Sequence, residues 1–259
     1  MKKMKNKLPI AGCRLPVEKP EGSRRFFQME NRKSKIENGF TLVELLVVIS
    51  IIGILAGFTV PVLSAVKRHQ YISNTQAEMG QLQAAIDSYH ATYGFYPPSN
   101  PNGVVDSTGH LLGNQLYYEL VGTLLTNNVF ETLDGGVQIL TNDVSIAFSL
   151  GGFINCTKPG ASEDSKPAIN FIHELKPNQT GTVSNANNTV QFTILLGSVG
   201  GPDSTYQPMK ASGLNPWRYV SPGVNNPTSY DLWIQLVIGG KTNLFCNWSK
   251  EVQINNPLP

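Results

Sequence analysis

Charge is almost missing from the longest apolar stretch of this sequence, and recognisable reaction chemistry is missing everywhere. No nucleophile elbow and no phosphate-binding loop occurs. Histidine is scarce, and His69, His90, His110 and His173 have no cysteine or acidic partner at metal-ligand spacing. Asp87 and His90 share a helix face at i, i+3, and a solvated polar pair explains that spacing. Glu163, Asp164, Asp203 and Asp231 are scattered over loops, where solvation accounts for them. Catalytic residues are therefore not expected, and no metal cluster is. No internal repeat is visible. Cysteine is limited to Cys13, Cys156 and Cys246.

The net charge of +2 hides an uneven distribution, with +7 on residues 1–39 and −5 on the remainder. A domain of acidic balance has no electrostatic footprint for nucleic acid, so no such partner is expected. What the sequence does have is the run from Phe40 to Val66, FTLVELLVVISIIGILAGFTVPVLSAV, with Glu44 as its one formal charge. A bilayer core is crossed by a helix of about 20 mostly apolar residues. Backbone inside a membrane must satisfy its own hydrogen bonds, so the run should be helical. A basic segment ahead of it orients the N-terminus to the cytoplasm and exports the rest. A carboxylate in such a run is costly unless something offsets it. A chain cut between Gly39 and Phe40 carries a new α-amino group there. That amine, on the same chain or on a packed neighbour, is the natural cation for Glu44.

The string Gly39-Phe40-Thr41-Leu42-Val43-Glu44-Leu45-Leu46 resembles the processing site of type IV prepilins and type II secretion pseudopilins. The resemblance implies that a membrane-embedded prepilin peptidase cuts after Gly39 and N-methylates Phe40. It implies Glu44 as the assembly carboxylate, and Pro61 falls where the family often has a helix-bending proline. Ahead of the site, Ile10-Ala11-Gly12-Cys13 is similar to a lipoprotein box but lacks an apolar core before it. Met29 offers a second start, from which residues 29–39 form a compact polar leader. Residues 1–28 then read as an over-extended start or as a segment removed with the leader, and fold reasoning excludes them either way.

The helix is predicted to continue past the membrane. Pro61 can bend it, and Lys67 and Arg68 mark its emergence into water. Ile72, Met79, Leu82, Ile86, Tyr89 and Tyr93 then lie on one helical face. Asn74, Gln76, Glu78, Gln81, Gln83, Asp87 and Ser88 mainly take the other. Gly94 ends the helix and Tyr96-Pro97-Pro98 prevents its restart. From Phe40 to Tyr93 it measures roughly 80 Å at 1.5 Å per residue. In the head, residues 97–109 and 158–166 read as loops. Leu116, Leu120 and Leu124 suggest a short helix, and Val144 to Leu150 is open between helix and strand. Val190 to Leu196 reads as a strand broken by Gly200-Gly201-Pro202. Tyr230 to Ile238, Gly239-Gly240 and Lys241 to Trp248 read as a closing hairpin. The expected fold is α+β and pilin-like: a long N-terminal helix, membrane-spanning in its first half, packed on a small antiparallel sheet. Its parts are a leader at 1–39, the assembly helix at 40–66, an amphipathic continuation at 67–95 and a head at 96–259.

A second resemblance lies at the C-terminal end. Asn215-Pro216-Trp217-Arg218-Tyr219-Val220-Ser221-Pro222-Gly223, Ser229-Tyr230-Asp231-Leu232-Trp233 and Asn247-Trp248 are similar to the end of the major pseudopilin of type II secretion. Tyr93-Gly94-Phe95-Tyr96-Pro97 is similar to its helix-ending segment. That protein's last loop holds calcium, which favours several oxygen ligands with carboxylates among them. Here the corresponding loop, Gly239-Gly240-Lys241-Thr242-Asn243, has no acid, so Asp231 is the one matched calcium candidate. Residues 105–200 match no motif. With Cys13 lost in the leader, Cys156 and Cys246 remain in a compartment that permits a disulfide, or Cys246 is a small core residue.

Three functions fit. The first is a pseudopilin of a type II secretion-like envelope machine. Its partners would be prepilin peptidase, like subunits, minor pseudopilins and an inner-membrane assembly platform. The second is a type IV pilin of a surface fibre. The third is an exported enzyme or carbohydrate-binding protein on a borrowed anchor. The C-terminal resemblance favours the first. A single-pass inner-membrane protein is expected, its N-terminus cytoplasmic and its head periplasmic.

Overall fold

A computed structural model describes residues 39–99, 114–160, 166–185, 189–199 and 214–255, without the side chains of residues 58–62 and 64. The leader with Cys13 and Met29, and His110, Glu163, Asp164, Gly200-Gly201-Pro202 and Asp203, lie outside the described residues. Two units divide the chain between Ile54 and Leu55.

The first unit, as described, is the start of helix α1 (Leu42–Tyr93). Phe40 and Thr41 stand before it, because Thr41 caps it: the Thr41 carbonyl accepts from Leu45 N–H at 3.1 Å. The backbone of α1 runs through Pro61 without a break. Among the described residues no helix is long and apolar enough to cross a membrane.

The second unit holds the rest of α1 and the head. Thr75, Glu78, Leu82, Ala85, Ile86 and Tyr89 are buried, with Tyr71, Ile72, Met79 and Tyr93 packed against the same core. This is the predicted stripe, with one correction. Glu78 belongs to the buried face, where its carboxylate accepts from Ser198 N–H at 2.9 Å. Gly94 ends the helix, donating its N–H to the His90 carbonyl at 2.8 Å. The Lys166 ammonium donates to the Thr92 carbonyl at 2.8 Å and lies 5.8 Å from the Tyr93 ring centre. A cation at a helix C-terminus complements the dipole there.

The short helix α2 (Leu116–Val121) is buried at every residue and sits at the centre of the head. It stops at Gly122, so Leu124 leaves the predicted helix and joins strand β1 (Thr123–Thr126). Asn127 and Asn128, at φ 51° and 63°, turn the chain into β2 (Val129–Thr132), which pairs with β3 (Gln138–Leu140). Strand β4 (Cys156–Thr157) adds to β1 in parallel. The segment left open between helix and strand is α3 (Thr141–Phe148). Strands β5 (Thr180–Ser184) and β6 (Gln191–Leu195) form a separate pair, β6 matching the predicted strand.

A second four-stranded sheet runs in the order β10-β9-β8-β7, with β7 (Arg218–Val220), β8 (Asp231–Ile238), β9 (Lys241–Cys246) and β10 (Gln253–Ile254). The β8–β9 hairpin turns on Gly239 and Gly240 at φ 58° and 73°. Two successive left-handed residues make the turn whose twist matches paired strands, and glycine adopts them without a steric cost. The head is thus α+β as expected, but with three sheets rather than one and a parallel pair in the first. Rings of Tyr118 and Phe153 stack at 4.6 Å, and Phe148 meets Phe192 edge-on at 5.0 Å. The first contact ties α2 to the loop before β4, and the second ties α3 to β6.

Candidate functional site

Gly39 and Phe40 are exposed, and a side chain added at Gly39 would meet nothing within 4 Å. Immediately after them, Thr41 and Glu44 satisfy each other. The Thr41 N–H donates to Glu44 Oε2 at 2.9 Å, the Thr41 hydroxyl donates to the same oxygen at 2.7 Å, and the Glu44 N–H donates to Thr41 Oγ1 at 3.2 Å. This is a capping box, in which an N-terminal threonine and a glutamate three residues on pair their orphan donors. Glu44 therefore has a helix-starting role that the sequence reading missed. The Thr-x-x-Glu spacing of Thr41-Leu42-Val43-Glu44 was its signal. Oxygen Oε1 of Glu44 accepts no bond among the described residues. From Leu42 to Leu55 the large apolar side chains are exposed, Leu42 at 78% and Ile54 at 62%. A helix apolar all round has to bury itself in lipid or in other helices.

A family model for the prokaryotic N-terminal methylation motif matches residues 34–60. The N-terminal part of the chain is thus similar to type IV pilins in the stretch that carries this motif. It is similar to the type IV major pilin protein PilE1 of Neisseria gonorrhoeae, 31% identical over 78 residues, which cover 30% of this chain and 36% of that protein. It is also similar to the type IV major fimbrial protein FimA of Dichelobacter nodosus, 38% identical over 53 residues, covering 20% and 34%. With the fimbrial protein EcpC of Eikenella corrodens it shares 31% over 74 residues, covering 29% and 48%. The matches thus span a third to a half of the curated relatives. No solved structure matches the chain. These relatives are structural filament proteins, a family not known to be enzymatic.

In the head of this pilin-like chain the remaining candidates are held apart. Asp231 is buried at the start of β8, and its carboxylate accepts from Asn225 N–H at 2.7 Å, Asn225 Nδ2 at 3.1 Å and Asn226 N–H at 3.0 Å. Three N–H dipoles aimed at the carboxylate do the work a cation would do, so Asp231 staples the loop between β7 and β8. No group of three metal-ligating side chains occurs among the described residues. Cys156 on β4 is half-buried and Cys246 on β9 is buried, both as free thiols on different sheets. The disulfide the sequence left open is not made here. Cys246 instead packs with Trp233 and Leu244 against Val220 and Trp248.

The staple leaves no room at Gly223, where an added Cβ would lie 2.5 Å from Asp231 Oδ1 and 2.8 Å from Asp231 N. Gly223→Ala is expected to push the loop off the carboxylate and to lower stability by about 1–3 kcal/mol. Thermal unfolding followed by near-UV circular dichroism measures this. A wild-type melting temperature would mean that the loop yields without cost.

Proposed function

We propose that this chain is a non-catalytic filament subunit, a pseudopilin of a type II secretion-like envelope machine. Prepilin peptidase cuts it between Gly39 and Phe40 and methylates the new Phe40 amine. The helix from Phe40 to Val66 holds the subunit in the inner membrane, N-terminus cytoplasmic and head periplasmic. It then packs against like subunits and minor pseudopilins as an assembly platform extracts it into the filament. The observation that carries this reading is the joint register of Gly39, Phe40 and Glu44 at the head of an exposed apolar helix. The C-terminal resemblance supports the secretion branch. A second reading, subunit of a type IV surface fibre, is supported by the relatives, which are pilins and fimbrial proteins. Deleting the gene separates the two: retained cargo in the envelope marks a pseudopilin, and loss of surface fibres marks a pilin.

Processing has its own test. Mass spectrometry of the membrane-extracted protein should give a chain beginning at Phe40 with a methylated amine. Gly39→Leu should block cleavage, because a bulky side chain obstructs the peptidase pocket where glycine presents none. A wild-type chain that keeps its leader in cells containing the peptidase would overturn the reading.

A further inference from the structure

Past the apolar run, α1 and the β8–β9 hairpin line an open cleft of about 600 Å³. Ala65, Ile72 and Ile238 give it apolar walls, and Arg68, His69 and Lys241 stand around it. Ala65, Arg68, His69 and Ile72 fall on one helix face at i, i+3, i+4 and i+7. Lys241 comes from the far end of the chain, held beside them because Gly239-Gly240 closes the hairpin and pairs Ile238 with Lys241. Arg68, His69 and Lys241 are exposed. No acid lines the cleft, and neither Arg68 nor Lys241 is ion-paired among the described residues. The chain from Phe40 onward is acidic on balance, so two cations converging on an apolar cleft run against its overall charge.

We infer that this cleft binds an anionic phospholipid headgroup. Two observations choose that occupant. The cleft combines cations with apolar walls, which suits a phosphodiester carrying its glycerol and the first carbons of its chains, and a free inorganic ion would use only the cations. Its helical side also begins where the apolar run ends, at Ala65 to Arg68, the level at which a helix crossing a bilayer meets the headgroups. Basic residues at that level are attracted to anionic lipid, and their stems lie along apolar surface while the charge reaches outward. The inference rests on the membrane-spanning reading above. Its consequence is that the hairpin, and with it the head, is clamped to the bilayer surface before assembly, and releases the lipid when the subunit is extracted.

The full chain is reconstituted into vesicles of phosphatidylcholine with phosphatidylglycerol, washed with carbonate, and solubilised gently for native mass spectrometry of retained lipid. The expected result is a roughly tenfold preference for phosphatidylglycerol over phosphatidylcholine. The Arg68→Gln/Lys241→Gln double variant should lose it while resisting carbonate as the wild type does. Lys67→Gln, which removes a neighbouring cation that does not line the cleft, should keep it. Equal retention of the two lipids by the wild type overturns the proposal, as does equal loss in Lys67→Gln, which would mean diffuse charge. Displacement of the lipid by inorganic phosphate would identify a simple anion site and overturn it too. A wild-type chain washed off by carbonate fails the membrane reading itself, whereas a carbonate-resistant chain without the preference fails the cleft alone.

Discussion

Glu119→Ala is expected to destabilise the head by about 3–5 kcal/mol, the cost of stranding several buried donors at once. Glu119 lies on α2 and is fully buried. Its Oε1 accepts from Ile154 N–H at 2.9 Å, and its Oε2 accepts from Asn155 N–H and from the Tyr89 hydroxyl, both at 3.0 Å. Asn155 completes the network. Its Nδ2 donates to the carbonyls of Glu119 and Ile169, and its Oδ1 accepts from Ile169 N–H and the Tyr93 hydroxyl. The long helix is thereby tied to α2 and to the loop before β4 through two tyrosines one helical turn apart. Denaturant unfolding of the detergent-solubilised chain, read by near-UV circular dichroism of the tyrosines, measures the loss. A change below about 1 kcal/mol would mean that the loop finds other acceptors.

The same carboxylate makes stability depend on pH. Burial is the largest influence on Glu119 and raises its pKa above the ordinary 4.5, against the N–H groups of Asn155 and Ile154 and the Tyr89 hydroxyl, which favour the anion. The native state thus keeps its proton over an interval in which the unfolded chain has released it. Stability contributed by this group is fully present below pH 4.5, falls as pH rises through the interval, and levels off once the native carboxyl ionises. Glu119→Gln should remove that slope at a smaller cost than alanine. Its amide oxygen still accepts from Ile154, and the Tyr89 hydroxyl can turn to accept from its NH2, leaving mainly the Asn155 N–H opposed by a donor.

What the sequence revealed and what it hid follow from the range of the interactions. The head face of α1 was legible because Ile72, Met79, Leu82, Ile86, Tyr89 and Tyr93 repeat at the helical period. Glu78 broke the pattern, since a carboxylate reads as solvated until its partner, Ser198, is brought in from far along the chain. The β8–β9 hairpin was legible from two glycines between apolar strands. The β1–β2 hairpin carried a weaker signal of the same kind in Asn127-Asn128, but Leu124 continued the spacing of Leu116 and Leu120 and drew the reading towards helix. Strand β4 has two residues and pairs in parallel, so no local pattern could announce it. At the start of the apolar run Gly39, Phe40 and Glu44 were legible as a motif, whereas the pairing of Thr41 with Glu44 is a separate physical fact superimposed on it.

That pairing sharpens the expected failure of assembly when Glu44 is changed. In the proposed filament the helices from Phe40 to Val66 would pack away from lipid and water, where an unpaired carboxylate is heavily penalised and an amine partner removes most of the penalty. The Thr41 cap occupies Oε2 alone, so the carboxylate can hold its own helix start and still offer Oε1 to the Phe40 amine of a neighbour. The proposed methylation would leave that amine charged, so the pair would survive modification. Three variants separate the two roles. Thr41→Ala removes the cap and keeps the charge, Glu44→Gln keeps an acceptor for the cap and removes the charge, and Glu44→Ala removes both. If charge pairing drives assembly, sheared or cross-linked filament yield at equal membrane abundance should fall roughly tenfold or more in both Glu44 variants. Thr41→Ala should lose little, and Gly39 cleavage should continue in all three. Wild-type yield from Glu44→Gln would assign the residue to helix capping and leave assembly to apolar packing alone.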